Sequence, residues 1–255
     1  MTTSPNRNRI AILIALMLVG GIFVAISVQQ SGREQRVPIT YPPGAVVHGG
    51  TYGEWIARHW QWIASIPLDT NPGYDVTGQS CGDGQTGPVF FLPRNLPPCK
   101  VPAGMAILVP IAGSECSSTE LPPFSGTNEE ELRFCAAEEV DRYTNIRLSV
   151  DGRDVPEIEA YRTSSPLFAL SLPDHNILGA PTGVAYAVAD GYQAILRPLP
   201  PGEHEILIHL ELKDGTVLPD KVVRLKVVEP TWSAPAATPD IATPMVTPVA
   251  TQVRR

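Results

Sequence analysis

HEILIHLELK, residues 204–213, has the clearest strand pattern in the chain. Apolar side chains alternate along it with charged ones, which is the pattern of a β-strand with one buried face. Five side chains share the buried face: His204, Ile206, Ile208, Leu210 and Leu212. Asp214-Gly215 then supplies a turn, and residues 223–227 alternate again. The two segments therefore predict an antiparallel pair of strands.

Similar signals occur upstream of this pair. Short apolar or alternating runs bounded by Gly, Pro or Asp-Gly lie at 89–92, 106–111, 145–150, 167–172 and 192–196. Asp151-Gly152 is a hairpin-turn dipeptide directly after the third of these runs. Seven or eight short strands predict a mainly β domain, a β-sandwich or a jelly roll.

Two helices interrupt the strand pattern. Thr51 and Glu54 have the spacing of a capping box, and Pro67 ends the apolar periodicity that follows. Thr127 and Glu130 repeat that spacing before a second helix over residues 128–143. The apolar face of this second helix is Leu132, Cys135, Ala136, Val140 and Tyr143. We therefore expect a β domain that carries two helices.

Residues 10–28 form an uncharged apolar run preceded by Arg7 and Arg9. About 20 such residues can cross a bilayer as one helix, and basic residues on the N-terminal side place that side in the cytoplasm. We expect a single-pass membrane anchor within residues 1–30, with the rest of the chain outside the cell membrane. Ala25-Ile26-Ser27 also fits a signal-peptidase site, so secretion after cleavage near Ser27 is the alternative.

The remainder of the chain divides by composition. Residues 31–47 are polar and Pro-rich and predict a linker, residues 48–230 predict the domain, and residues 231–255 predict a disordered Thr/Pro-rich tail. The formal net charge is −7, and no Lys/Arg cluster offsets it. An acidic surface of this kind argues against a nucleic-acid partner.

Four cysteines follow the apolar run: Cys81, Cys99, Cys116 and Cys135. An even count outside the cytoplasm indicates two disulfides, for which three connectivities exist. The pairing Cys81–Cys99 with Cys116–Cys135 closes the shortest loops. No pair has the C-x2-C spacing of a zinc site, and we predict no metal and no cofactor.

The sequence contains short matches to catalytic motifs, but the residues around them do not fit the structures that these motifs require. Residues 78–82 read GQSCG and match G-x-S-x-G, but a Gly-rich loop replaces the strand and helix that the motif requires. His204 and His209 lie on opposite faces of a strand and cannot share a metal ion. Five carboxylates are candidates for hydrolytic chemistry: Glu54, Asp69, Glu115, Asp174 and Asp190. No residue is assigned a catalytic role.

The first helix carries the candidate binding residues. Tyr52, Trp55, His59 and Trp62 fall near one face, and flat rings with polar edges suit a sugar or a protein partner. The alternative is that the helix packs on the sheet and these rings are core, because apolar residues occupy more than one face. Rings open to solvent are expected in the first case and buried rings in the second.

The string Tyr52-Gly53-Glu54-Trp55-x4-Trp60-Gln61-Trp62 resembles a motif of uncharacterised bacterial exported proteins. Residues 87–92 (GPVFFL), the string Cys99-x-Val101-Pro102-Ala103-Gly104 and Glu115-Cys116 extend the similarity over about residues 50–210. That family usually has an aromatic residue where this chain has His59. The resemblance implies export and a single domain, and it implies no activity.

These observations favour a non-catalytic binding or structural module of the cell envelope, with an envelope glycan or a protein as its partner. A hydrolase acting on envelope polysaccharide or another polymer is the alternative. It requires a concave pocket in which two carboxylates, or His59 and a carboxylate, converge.

Overall fold

A computed structural model describes residues 37–95 and 97–229. The predicted anchor at 10–28 and the predicted tail at 231–255 lie outside these residues. Within the described part, no helix is both long enough and apolar enough to cross a membrane. The described residues from Thr40 onward belong to one compact unit, which is the domain discussed below.

The domain is mainly β, as the sequence predicts. The helices among the described residues are α1 (Tyr52–Ala64) and α2 (Glu129–Val140). The strands there are β1 (Val89–Phe91), β2 (Cys99–Pro102), β3 (Ala106–Ser117), β4 (Tyr143–Val150), β5 (Arg153–Asp154), β6 (Arg162–Ser164), β7 (Phe168–Leu172), β8 (Gly183–Leu196), β9 (Gly202–Leu212) and β10 (Lys221–Val228).

These strands form two five-stranded sheets. In the first sheet the order is β1-β3-β8-β6, and β7 pairs with β8 beside β6. In the second sheet the order is β2-β10-β9-β4-β5. The pairs β1–β3 and β2–β10 are parallel, and the others are antiparallel. The short helical turn Ile158–Tyr161 contacts β4 of one sheet and β8 of the other and so joins them.

The second sheet has one buried face, as the alternation of residues 204–213 predicts. Ile206, Ile208 and Leu210 of β9 are buried, and Val223, Leu225 and Val227 of β10 are buried beside them. Asp151-Gly152 forms the predicted turn between β4 and β5, with positive φ at both residues. The expected hairpin between β9 and β10 is also present, with Glu205 opposite Arg224.

The first sheet is covered by the two helices. Ile56, Ala57 and Ala64 of α1 pack on three alanines of β8, namely Ala185, Ala187 and Ala189. Leu132 and Ala136 of α2 pack on Val188 and Cys116 instead. Consecutive strand residues point to opposite faces, so α1 and α2 lie on opposite faces of β8.

The two disulfides are Cys81–Cys99 and Cys116–Cys135, which confirms the shortest-loop pairing. The first joins the loop before β1 to β2. The second joins β3 to α2, where Cys135 lies on the buried side of the helix.

Three boundaries differ from the sequence prediction. The predicted linker 31–47 extends too far, because Thr40 pairs with Leu196 of β8 and Val47 is 1% exposed. The second helix begins one residue later than its expected cap, since the Asn128 side chain accepts the backbone N–H of Glu131. It also ends before Tyr143, which is the first residue of β4.

Candidate functional site

The four predicted binding residues on α1 are buried. Tyr52, Trp55, His59 and Trp62 are between 2% and 6% exposed. Of the two alternatives for this helix, buried core rings are observed, and an exposed binding face made of these four residues is not. The physical reason is that loops outside the helix cover these rings and satisfy their polar edges.

Backbone carbonyls of the covering loops accept the polar hydrogens of these rings. The hydroxyl of Tyr52 donates to the Tyr41 carbonyl at 2.7 Å. The indole N–H of Trp55 donates to Val47 and that of Trp62 donates to Asp83, both at 2.8 Å. A buried indole with its N–H satisfied is a normal core residue.

His59 differs from these three aromatic residues. Its Nε2 lies 3.1 Å from the carbonyl oxygen of Leu92, and a carbonyl can only accept. Nε2 therefore carries the hydrogen, and Nδ1 is an acceptor that has no partner within the described protein. Burial lowers the pKa of His59 to about 4, so the ring is neutral at pH 7.

His59 lines a cavity of about 410 Å³, which we call the main chamber. Its wall comes from α1, the middle of β3, β8 and the segment before β10, and includes Trp60, Tyr192 and Gln193. A second cavity of about 300 Å³, which we call the acidic chamber, shares Trp60, Arg94 and Tyr143 with the first. The two chambers therefore adjoin, and together they form one cleft.

Three buried acceptors in this cleft have no partner within the described protein. They are Nδ1 of His59 and Oε1 of Gln193 in the main chamber and Oε1 of Glu115 in the acidic chamber. Among described residues only one other buried side-chain atom, Oγ1 of Thr119, is in this state. A buried acceptor without a donor destabilises the folded protein. The presence of three such acceptors in one cleft therefore indicates that a ligand supplies the donors.

Glu115 and Glu120 form a hydrogen-bonded carboxyl pair in the acidic chamber. Burial raises the pKa of Glu115 well above its ordinary value, and the neighbouring charge of Glu120 raises it further. Glu115 thus holds the proton and donates to Glu120, which also accepts from the Ser117 hydroxyl at 2.8 Å.

Two basic side chains, Arg94 and Lys221, line the cleft. Arg94 lines both chambers, and Lys221 lines the main chamber. Burial and the charge of Arg94 lower the pKa of Lys221. The cleft therefore changes from basic and neutral groups in the main chamber to carboxyl groups in the acidic chamber.

Of the five carboxylates selected from sequence, Glu115 alone lines this cleft. Glu54 completes the capping box of α1 through the backbone N–H of Thr51 at 2.7 Å. Asp190 accepts from Arg162 at 2.7 Å in an ion pair. Asp69 and Asp174 are exposed.

The other sequence motifs lie elsewhere. Ser80 of the G-x-S-x-G match lies in a turn-rich loop, and Cys81 beside it is disulfide-bonded. His204 is buried against Asp151 at 2.8 Å, whereas His209 contacts Asp220 at 2.7 Å.

Sequence reasoning missed Glu120, Gln193 and Arg94. Each lies in a segment without a motif, and only the fold brings the three to one cleft. The predicted strand 106–111 ends before Glu115, whereas β3 continues to Ser117, so nothing in the sequence showed that Glu115 is a buried acid within a strand.

Comparisons with known proteins add no functional information. No protein-family model matches this chain, and no curated protein matches it. The solution structure of amebosin aligns with 57% of this chain and 100% of its own, at 11% identity and a TM-score of 0.19. A similarity this low carries no argument about fold or function.

Proposed function

We propose that this domain is a binding module for a small saccharide, which occupies the cleft between α1, β3 and β8. The observation that carries the proposal is the set of three buried acceptors of His59, Gln193 and Glu115. A ligand with several hydroxyl groups would supply the donors that these atoms lack. An acceptor-only ligand such as a carboxylate would leave them unsatisfied.

The aromatic side chains of the cleft support the same ligand class. Trp60, Tyr143 and Tyr192 line the main chamber and are each half-buried. Their rings can cover the apolar C–H face of a sugar while their polar edges stay available for hydrogen bonds. The expected aromatic binding surface on α1 is thus replaced by a cleft to which α1 contributes Trp60 and His59.

The size of the cleft favours a small ligand over a polymer. A main chamber of about 410 Å³ lies in the usual range for small-molecule sites, roughly 300–1,000 Å³. We therefore propose a ligand of about one or two sugar units, or the end of a longer chain.

The cellular setting of this proposal is the outer face of a cell membrane. Residues 10–28 would anchor the chain or direct its secretion, and disulfides are typical of proteins in oxidising compartments. An envelope glycan is then the natural source of the ligand, and an envelope protein is the alternative partner.

A hydrolase of envelope polysaccharide is the second candidate, and the Glu115–Glu120 pair is the observation that favours it. A carboxyl pair sharing one proton can act in acid–base catalysis. However, the two carboxyl groups of most glycoside hydrolases are about 5 Å or more apart, and a hydrogen-bonded pair is closer. We therefore place binding before hydrolysis.

Titration of the full-length chain with neutral mono- and disaccharides, followed by tryptophan fluorescence, tests the proposal. We expect saturable binding that Gln193→Met weakens about tenfold, because one buried hydrogen bond to the ligand is lost. Gln79→Met is the matched control, since Gln79 is exposed in a loop outside the cleft. Absence of binding to every sugar, or equal effects of the two variants, would contradict the proposal.

A further inference from the structure

We propose that the acidic chamber binds an ammonium group, so that the ligand of this cleft is an amino sugar with a free amine. The inference rests on the proposed saccharide site and deepens it by naming one substituent of the ligand. Three features of the chamber carry it: a buried unpartnered carboxyl oxygen, a set of aromatic rings and the sign of the surrounding charge.

The unpartnered carboxyl oxygen belongs to Glu115. The residue is 4% exposed, and its Oε1 has no hydrogen-bond partner within the described protein. Glu120 beside it is half-buried and is held by the Ser117 hydroxyl at 2.8 Å. An ammonium group offers three donors on one atom, which suits two adjacent carboxyl groups better than a single hydroxyl does.

Aromatic rings form the other walls of the acidic chamber. Trp60, Phe124 and Tyr143 all line it together with the carboxyl groups. The faces of such rings attract organic cations, and the attraction grows where water is excluded. Rings next to carboxyl groups are typical of sites for organic ammonium groups, whereas hard metal ions require oxygen ligands on every side.

The charged groups on the chamber wall favour a cation as well. Three acids, Glu115, Glu120 and Glu139, line this chamber against one basic side chain among its described lining residues, Arg94. Glu115 contributes as a neutral acid that shares its proton with Glu120. Glu139 also contacts Arg142 at 3.1 Å. Arg94 is exposed and lines both chambers, whereas Glu115 is 4% exposed and lines the acidic chamber alone.

Glucose and glucosamine are the matched probes, because they differ only at C2, where an amine in glucosamine replaces a hydroxyl in glucose. Calorimetric titration of the full-length chain at pH 7 should give at least about tenfold tighter binding of glucosamine, the effect of one charge-assisted contact. N-acetylglucosamine, which has no free amine, should bind like glucose.

Two variants localise this preference. Glu120→Gln should reduce the ratio of glucosamine to glucose affinity to near one, while Glu130→Gln, an exposed glutamate at the start of α2, should leave it unchanged. Phe124→Leu should reduce the ratio by about threefold through loss of a ring. Phe124 is 39% exposed, so we expect Phe124→Leu to fold normally. It therefore provides the test if Glu120→Gln does not fold.

The outcomes separate the two proposals. Equal binding of both sugars overturns the amine inference and leaves the saccharide site in place. A glucosamine preference that survives both Glu120→Gln and Phe124→Leu also overturns it. Binding of neither sugar nor of N-acetylglucosamine overturns the inference and counts against the site itself.

Discussion

His59 is a histidine held neutral inside the domain. Burial and the nearby charge of Arg94 lower its pKa, while the contact with the Leu92 carbonyl acts in the opposite direction. A pKa that is depressed in the folded state means that the folded protein resists protonation more than the unfolded chain does. The stability associated with the neutral ring is therefore present above the unfolded pKa and is lost as the pH falls.

Acid should destabilise the protein through this one side chain. Between pH 6.5, the ordinary pKa of histidine, and the pKa of about 4 in the folded protein, we expect a loss of about 3 kcal/mol. Urea unfolding at stepped pH values measures it. His59→Gln should lack this share of the loss, and His48→Gln, an exposed control, should retain it. Equal pH dependence in the wild type and His59→Gln would exclude this role.

Individual site residues were only partly predictable. Glu115 was one of five carboxylates selected from sequence, with nothing to set it apart from the other four, and His59 stood out because it lies among aromatic residues. Glu120 did not, since nothing in the sequence shows that the chain after β3 turns its carboxylate back toward Glu115. The sequence could not decide between exposed and buried aromatic rings, because the covering loops have no apolar periodicity that would reveal their position.

At the scale of elements, α1 lies very close to the edge of the first sheet. A Cβ atom added at Gly53 would approach the Ser164 carbonyl oxygen to 2.7 Å. Backbone atoms cannot move aside as flexible side chains can. The glycine in the first turn of the helix therefore permits the close contact of α1 with the strand edge.

Gly53→Ala should consequently destabilise the domain although alanine is the better helix former. We expect a decrease of about 1–3 kcal/mol in the free energy of unfolding, as overpacking usually costs. Gly82→Ala is the control, because an added Cβ there meets no atom within 4 Å, and its effect should stay within about 0.5 kcal/mol. Denaturant unfolding of both variants makes the comparison, and a neutral Gly53→Ala would contradict the close contact.

Elements with local signals were the predictable ones. The capping box of Thr51 and Glu54 placed the start of α1 correctly, and alternation placed β9 and β10. The strand β2 has only four residues and pairs with β10, which is far away in the chain. No local sequence pattern could therefore predict this strand. The start of α2 was misplaced by one residue because Thr127 and Asn128 are both good caps.

At the scale of the whole molecule, the disulfides connect the cleft to the sheets. Cys116–Cys135 fixes α2, which carries Glu139, against β3, which carries Glu115. Cys81–Cys99 fixes the loop that covers Trp62. Each closes a loop with a sequence separation of 18 or 19 residues.

Replacement of Cys116 and Cys135 by alanine should lower the free energy of unfolding by about 3 kcal/mol, and the same change at Cys81 and Cys99 should cost a similar amount. Denaturant unfolding of the two double variants measures this. A reducing agent should lower the free energy of unfolding of each double variant only through the disulfide that remains. Unchanged stability in either variant would show that its bridge does not restrain the unfolded chain.

The fold class and the disulfide pairing were predictable, whereas the cleft was not. Strand alternation and cysteine spacing are local properties of the sequence. The cleft instead combines side chains from α1, the segment around Arg94, β3 and β8, and it exists only once both sheets have formed. Its chemistry therefore depends on tertiary structure that no single stretch of sequence encodes.

The parallel pairing of β2 with β10 also has a consequence for the order of events during synthesis. Cys99 lies opposite Leu225, so the edge of the second sheet stays open until nearly the whole domain has left the ribosome. Until then β2 exposes an unpaired backbone edge, a feature that promotes association between nascent chains. Pairing over so long a separation also slows folding. A newly made chain of this protein is therefore most prone to association through β2 before β10 has been synthesised.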